Sequence, residues 1–280
     1  MGRRSIEVVD TSRSTAADPA RDREELPERT LPVLLLYPAE GTPTNPAAPE
    51  DDATPADGEF PLIVFSHGVT ADGPRYEGRL KQWARAGYVV AAPTFPLSSG
   101  RGGLIRDYVN QPADVSFVLD ELLSLQDDEP LAGHIDPERL AAAGHSLGAI
   151  TTIGVGLTSC CSDPRLDAIV SLSGTRLPFE GKGVDEIDRL PFLAVHGAND
   201  PIISVSGSDS LFEDADGPAA YLRLADAGHT DYLRTDAHLV DETVLGFLEL
   251  ELRGDDDALD DVPALVTARG NATFEVKAGG

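Results

Sequence analysis

At 280 residues the chain has room for one large α/β domain, with two small ones as the alternative, and a single core of that size is buried without disulfide or metal staples. Its 48 acidic residues against 22 basic ones leave a formal charge of −26. Such a surface repels phosphate backbones, anionic membranes and strongly anionic substrates, which sets nucleic-acid binding aside. Cys160 and Cys161 are adjacent, so neither a disulfide framework nor a zinc spacing exists; two buried thiols after a helix are expected, with a vicinal disulfide, which needs a strained ring, as the alternative. No run approaches the roughly 20 apolar residues of a membrane span. Met1-Gly2-Arg3-Arg4-Ser5 lacks the apolar stretch of a signal peptide, which points to a cytosolic protein or to a mature form already cut.

In chain order, Ile6 to Val9 reads as a short strand, Asp10 to Arg29 as a polar, proline-punctuated loop, and Thr30 to Pro38 as a strand. Ala39 to Glu59 is rich in Pro, Ala, Asp and Thr without periodicity, a long surface excursion. Phe60 to Ser66 is a continuous apolar run, as in a strand buried on both faces of a parallel sheet. It runs into His67-Gly68-Val69-Thr70, then a helix from Arg75 to Ala86, a buried strand from Tyr88 to Pro93, and a Ser/Gly loop from Leu97 to Gly103. Val115, Val118, Leu119, Leu122 and Leu123 give Pro112 to Ser124 a helical stripe. Strands follow at Leu166 to Leu172, Phe192 to His196 and Tyr221 to Ala225, then a helix from Asp236 to Leu252. This alternation argues a doubly wound, mostly parallel sheet with helices on both faces. The expected organisation is one domain over residues 1–254, decorated over 1–59, with an acidic tail over 255–280 that forms a peripheral strand or is partly disordered.

Between the second helix and the strand at Leu166 lies Leu140-Ala141-Ala142-Ala143-Gly144-His145-Ser146-Leu147-Gly148, an apolar run that meets a G-x-S-x-G and leads into a helix-compatible segment to Leu157. A strand turned sharply into a helix holds such a serine at the tip, and the glycines allow neighbours that a Cβ would exclude. The plainer reading is a serine in a glycine-rich turn between strand and helix. A serine hydroxyl needs a base to take its proton and an acid to orient that base. On an elbow the partners follow in the order Ser, acid, His. Of six histidines, His67, His134 and His145 precede Ser146, and His196 ends a strand ahead of the best acid. His229, in the loop after the last strand of the alternation, is the expected base, and His238, inside the final helix, the alternative. Asp200 leaves the carboxyl end of a buried strand, where open α/β sheets gather ligands. It is the expected acid, with Asp226 and Asp231 as runners-up too close to His229 to bridge back easily; a mere turn before Pro201 is the plainer alternative. The oxyanion donors expected are the backbone N–H groups of Leu147 and Val69. No metal or cofactor is implied.

With these residues in place, the chain resembles the α/β-hydrolase superfamily, and within it the dienelactone-hydrolase and platelet-activating-factor-acetylhydrolase-like esterases, with cutinase-type polyester hydrolases as relatives. The segments that carry the resemblance are Arg29–Pro32 through Leu36–Ala39, Phe60–Gly68, Ala86–Pro93, Gln111–Val115, the elbow, His196–Asp200 and Gly228-His229, spanning Val9 to Leu250. Two departures are visible. The acetylhydrolase branch carries its acid at the position of Ser173, whereas the polyester and dienelactone branches carry it in the loop of Asp200; and dienelactone hydrolases use cysteine where Ser146 stands. The resemblance implies an extracytoplasmic serine esterase acting on small-molecule or polymeric esters, and a monomer is expected. The cutinase comparison sets Thr70, Leu147, Thr175 and Ile202 around the acyl cleft, with smaller groups in place of that family's aromatics. Thioesterase, peptidase, lipid acetylhydrolase and polyester hydrolase chemistry on the same triad, and a binding protein that has lost catalysis, are the alternatives.

Overall fold

Chain regions rich in β-branched and apolar residues alternate with amphipathic ones, and the computed structural model describes residues 1–41, 48–179 and 190–279. Lys182 and residues 42–47 of the expected excursion lie outside these. The contacts group the chain into two units, Met1–Glu138 and Arg139–Gly280.

In the first unit the strands are β1 (Gly2–Asp10), β2 (Arg29–Tyr37), β3 (Glu50–Asp51), β4 (Phe60–Ser66) and β5 (Val89–Pro93). β1 pairs antiparallel with β2 in the register Ile6↔Val33, and β2 antiparallel with β5 at Leu34↔Ala92. β4 runs parallel to β5 at Ile63↔Val90, and β3 is a two-residue parallel addition to β1. Pro61 to Ser66 and all of β5 are buried, as their unbroken apolar character requires of strands covered on both faces. Helix α1 (Glu77–Arg85) buries Leu80 and Trp83, whose ring meets Phe65 edge-on at 5.8 Å. Helix α2 (Gln111–Leu123) carries Pro112 in its first turn, where no N–H is missed, and buries Val115, Val118, Leu119 and Leu122; Leu123 is half-buried.

The segment read as a loop between β1 and β2 is organised. Bridges Thr15↔Leu26 and Asp18↔Arg23 close it around a short 3₁₀ turn, and Arg21 donates to Leu97 O (2.5 Å) and Ser99 O (2.8 Å). Arg29 at the head of β2 is wholly buried between Asp114 (Nε to Oδ1 and Nη2 to Oδ2, both 2.6 Å) and Asp107 (3.0 Å). Burial opposes its charge, but hydrogen bonds and attraction from the two carboxylates outweigh that and hold the guanidinium above its ordinary range.

In the second unit β6 (Ile135–His145, entering from the first) is followed by α3 (Leu147–Leu157), β7 (Ala168–Leu172), β8 (Phe192–Gly197), α4 (Ser206–Glu213) and β9 (Ala219–Leu224). β6 to β9 run parallel in sequence order, in registers such as Ala143↔Val170, Val170↔Leu193 and Val195↔Leu222. Every residue of α3 is buried, consistent with a helix apolar all round. Helices α5 (Tyr232–Thr235), α6 (Ala237–Arg253) and α7 (Val262–Arg269) follow, and the tail ends in β10 (Ala272–Lys277), antiparallel to β9 at Phe274↔Leu222.

One expectation is corrected. Cys160 and Cys161 are not two buried thiols but are half-buried and disulfide-bonded to each other, with Cα atoms 3.7 Å apart. The chain turns tightly after α3, where Cys161 N and Ser162 N both donate to Thr158 O (3.1 and 3.0 Å), and the turn brings the adjacent side chains together. Among the described residues no helix is long and apolar enough to cross a membrane.

Candidate active site

β6 ends at His145, and the next residue leaves the strand in a conformation that L-residues seldom adopt: Ser146 has φ +59° and ψ −120°. Its N–H is tied to Leu172 O at 2.9 Å, and its carbonyl accepts from Ala149 N and Ile150 N to begin α3. Gly144 makes the turn possible, because a Cβ there would lie 2.2 Å from Gly148 O and 2.7 Å from Thr152 Oγ1. The bend presents Ser146 Oγ to His229 Nε2 at 2.8 Å, and His229 Nδ1 lies 2.6 Å from Asp200 Oδ2. A carboxylate oxygen only accepts, so Nδ1 carries the proton and Nε2 offers its lone pair to the serine hydroxyl.

Each member is held by its own loop. The Asp200 side chain is buried; its Oδ1 accepts from the amides of Ile202 (2.8 Å) and Ile203 (2.9 Å) in the turn after β8. Burial pushes the Asp200 pKa up, but the hydrogen bonds from His229, Ile203 and Ile202 outweigh it and leave the carboxyl below its ordinary value. The β8 terminus fits closely under the next loop: a Cβ on Gly197 would meet Ala227 O and Gly228 O, each at 2.4 Å. That loop carries His229, and Asp231 folds it by accepting from Gly228 N (2.8 Å) and Tyr232 N (3.0 Å). The His229 carbonyl is held in turn by His145 Nε2 at 3.1 Å and by the Ser173 hydroxyl at 3.3 Å, and the His145 and His229 rings lie 5.0 Å apart.

The runners-up lie elsewhere. His238 is exposed on α6 beside Glu242, Asp226 pairs with Arg269, and Asp231 serves the turn. His67 is buried in the first unit with Nδ1 donating to Gly68 O (2.8 Å) and Nε2 accepting from Phe95 N (3.0 Å); burial holds its pKa low. His134 lies at the surface, 3.1 Å from Gly58 O. The Leu147 N–H opens α3, so it has no intrahelical acceptor and lies at the positive end of the helix dipole. In the first unit the amides of Gly68, Thr70 and Ala71 are engaged, to Tyr76 Oη, Ser98 O and Gly68 O, while among the described residues the Val69 amide has no such acceptor. Thr70 has φ +66° and is exposed; Thr175 is half-buried against Gly207, and Ile202 is exposed. Among the described residues no group of three His, Cys, Asp or Glu is placed to hold a metal ion.

Residues 39–183, more than half of the chain and including the elbow, match the family model described as chlorophyllase. The chain belongs to the chlorophyllase family. Asp200 and His229 lie beyond the part of the chain that the chlorophyllase model matches. A solved structure, a ferulic acid esterase from Streptomyces cinnamoneus, superimposes with a TM-score of 0.75 at 21% identity, over 98% of this chain and 95% of that one. The fold of this chlorophyllase-family chain is therefore that of the α/β-hydrolase superfamily, as the resemblance implied. No curated protein matches the chain in sequence.

His145, His196 and Ser173 contact Asp200 or the His229 carbonyl, with Ser208 bonded to His196 and Tyr232 to Ser173 behind them, and none of the five carries a sequence signature for that role.

Proposed function

We propose that this protein hydrolyses carboxylic esters through an acyl-enzyme on Ser146. The observation that carries the reading is the unbroken relay from Ser146 Oγ to His229 Nε2 (2.8 Å) and from His229 Nδ1 to Asp200 Oδ2 (2.6 Å) on a strand-to-helix elbow. His229 takes the serine proton as Oγ attacks the ester carbonyl carbon. The tetrahedral oxyanion rests on the Leu147 N–H at the head of α3, and the Val69 N–H is the second donor of the proposal. His229 then passes its proton to the departing alkoxide, which leaves as the alcohol. Water, deprotonated by His229, attacks the acyl group; the carboxylic acid is released and Ser146 regains its proton. Asp200 stays ionised throughout and fixes the imidazole tautomer. Thr70, Thr175 and Ile202 are the proposed cleft residues.

The name of the family and that of the ferulic acid esterase guide the choice of substrates. The test is a panel of p-nitrophenyl esters of increasing acyl length, methyl ferulate, chlorophyll, a thioester, a peptide and polyester film, run on wild type and Ser146→Ala. Wild type should cleave oxygen esters, label with an organophosphonate at Ser146 alone, and lose about 10⁶-fold in kcat in the variant. Ester hydrolysis retained by Ser146→Ala overturns the mechanism. A wild type that neither labels nor turns over supports the binding-protein alternative.

A further inference from the structure

We propose that His196, which takes no part in proton transfer, is a positioning residue that shares Asp200 with the catalytic base; the inference rests on the esterase reading above. His196 lies near the end of β8, four residues before the acid, and its side chain is fully buried. Its Nε2 lies 3.1 Å from Asp200 Oδ2 and 3.1 Å from Ile203 O. Both are acceptors, so Nε2 must carry the proton. Its Nδ1 lies 2.7 Å from Ser208 Oγ on α4. Burial lowers the pKa of this ring, so it is neutral and Nδ1 accepts from the serine hydroxyl. The two acceptors at Nε2 thus set the tautomer that points an N–H at the acid, and the Ser208 hydroxyl, shared with Gly174 O, complements it at Nδ1.

Asp200 Oδ2 thus receives two imidazole N–H groups, from His229 at 2.6 Å and from His196 at 3.1 Å, while Oδ1 receives two backbone amides. With two donors on each oxygen the carboxylate cannot rotate without losing contacts on both sides. Without His196, Oδ2 is held by the base alone, the one partner whose charge changes during turnover. The second donor also draws off part of the carboxylate's charge, which moderates how strongly protonated His229 is held. A protonated His196 would neutralise Asp200, and the neutral ring avoids that. The titratable groups facing His196 are Asp200 and His229; its other polar neighbours are Ser208 on α4 and the Ile203 carbonyl, and Ser208 Oγ also lies 3.2 Å from Gly174 O in the loop after β7.

Three substitutions separate positioning from packing. His196→Gln returns an amide N–H near the place of Nε2, His196→Leu returns none, and Ser208→Ala removes the hydrogen bond at Nδ1. The readouts are kcat and KM on p-nitrophenyl acetate, kcat/KM against pH, the urea midpoint, and the imidazole ¹⁵N spectrum. In His196→Leu, kcat should fall roughly 10- to 100-fold with little change in KM. The acid limb of its pH profile should move to higher pH, because an unshared carboxylate holds the protonated base more firmly. His196→Gln should recover most of both effects, and Ser208→Ala should fall between. In wild type His196 should be the neutral Nε2–H tautomer. A His196→Leu protein with wild-type kcat and pH profile overturns the inference, as do equal losses in Gln and Leu with an unmoved profile, or an Nδ1–H tautomer in wild type. A wild type that shows the Nε2–H tautomer yet cleaves no ester would sink the esterase reading and leave the shared carboxylate standing.

Discussion

Gly144→Ala is the substitution most diagnostic of how the elbow works. The new Cβ would lie 2.2 Å from Gly148 O, 2.4 Å from Gly148 C and 2.7 Å from Thr152 Oγ1. The first two are backbone atoms in the opening turn of α3. Thr152 Oγ1 is itself committed to Gly148 O at 2.9 Å, so no flexible side chain can swing aside to relieve all three contacts. Relief requires β6 or α3 to move by most of an ångström, and Ser146 is the hinge between them. Overpacking of this kind costs about 1–3 kcal/mol of stability. A displacement of about 1 Å at the nucleophile costs on the order of 100-fold in turnover, because the hydroxyl leaves its line to His229 Nε2. Urea unfolding and kcat on p-nitrophenyl acetate read the two effects separately. A Gly144→Ala protein with the wild-type urea midpoint and a kcat within about threefold of wild type would refute the steric account.

Two further predictions concern stability. Arg29→Met keeps the stem but leaves Asp107 and Asp114 buried without their main partner, with only Arg13 reaching Asp114 at 2.9 Å; the expected loss is about 3–5 kcal/mol, on the order of 10 °C in Tm. A loss below about 1 kcal/mol would show that the cluster is not dehydrated. His67 and His196 are buried with pKa values below the ordinary 6.5, so the unfolded chain binds more protons than the folded one below that value. Their contribution is complete above about pH 6.5 and is lost as pH falls towards their folded values, whereas the lowered carboxyls Asp10, Asp18, Asp200 and Asp226 act only below their ordinary 3.8. A urea midpoint that stays flat between pH 7 and pH 5 would count against both histidines being buried and neutral.

The candidate site was legible in the sequence where local chemistry imposes its geometry. Gly144 and Ser146 declare the elbow because its sterics tolerate few alternatives, and Asp200 and His229 follow because strand ends at this edge of a parallel sheet are where functional loops emerge. What escaped depends on contacts between distant residues. Nothing near His229 reveals that its carbonyl rests on His145 and Ser173, since those partners lie 84 and 56 residues away. β1 extends over Gly2–Asp10 rather than Ile6 to Val9 because Arg3, Arg4 and Ser5 pair with β2 while their side chains stay half-buried or exposed. β6 begins at Ile135 through the polar Asp136-Pro137-Glu138, which hides its first half. α7 buries only Val262 and so shows no apolar stripe to announce it. The join of Cys160 to Cys161 comes from a turn that two cysteine letters do not encode.

Strand β10 has a consequence for the edge of the sheet. β9 is mostly buried and apolar, and left bare it would offer a row of free amides and carbonyls to any other chain. β10 occupies that row and becomes the edge itself, with Thr273 and Glu275 exposed on one face of the strand and Val276 exposed on the other. Lys277, one of only three lysines in the chain, donates to Phe212 O (2.5 Å) and Glu213 O (3.0 Å) and lies 4.6 Å over the Phe212 ring, so the last turn of α4 anchors the strand's end. The edge that replaces β9 therefore carries the charges of Glu275 and Lys277, which disfavour the addition of a further strand, and it lies on the far side of β9 from the strand that leads to Asp200.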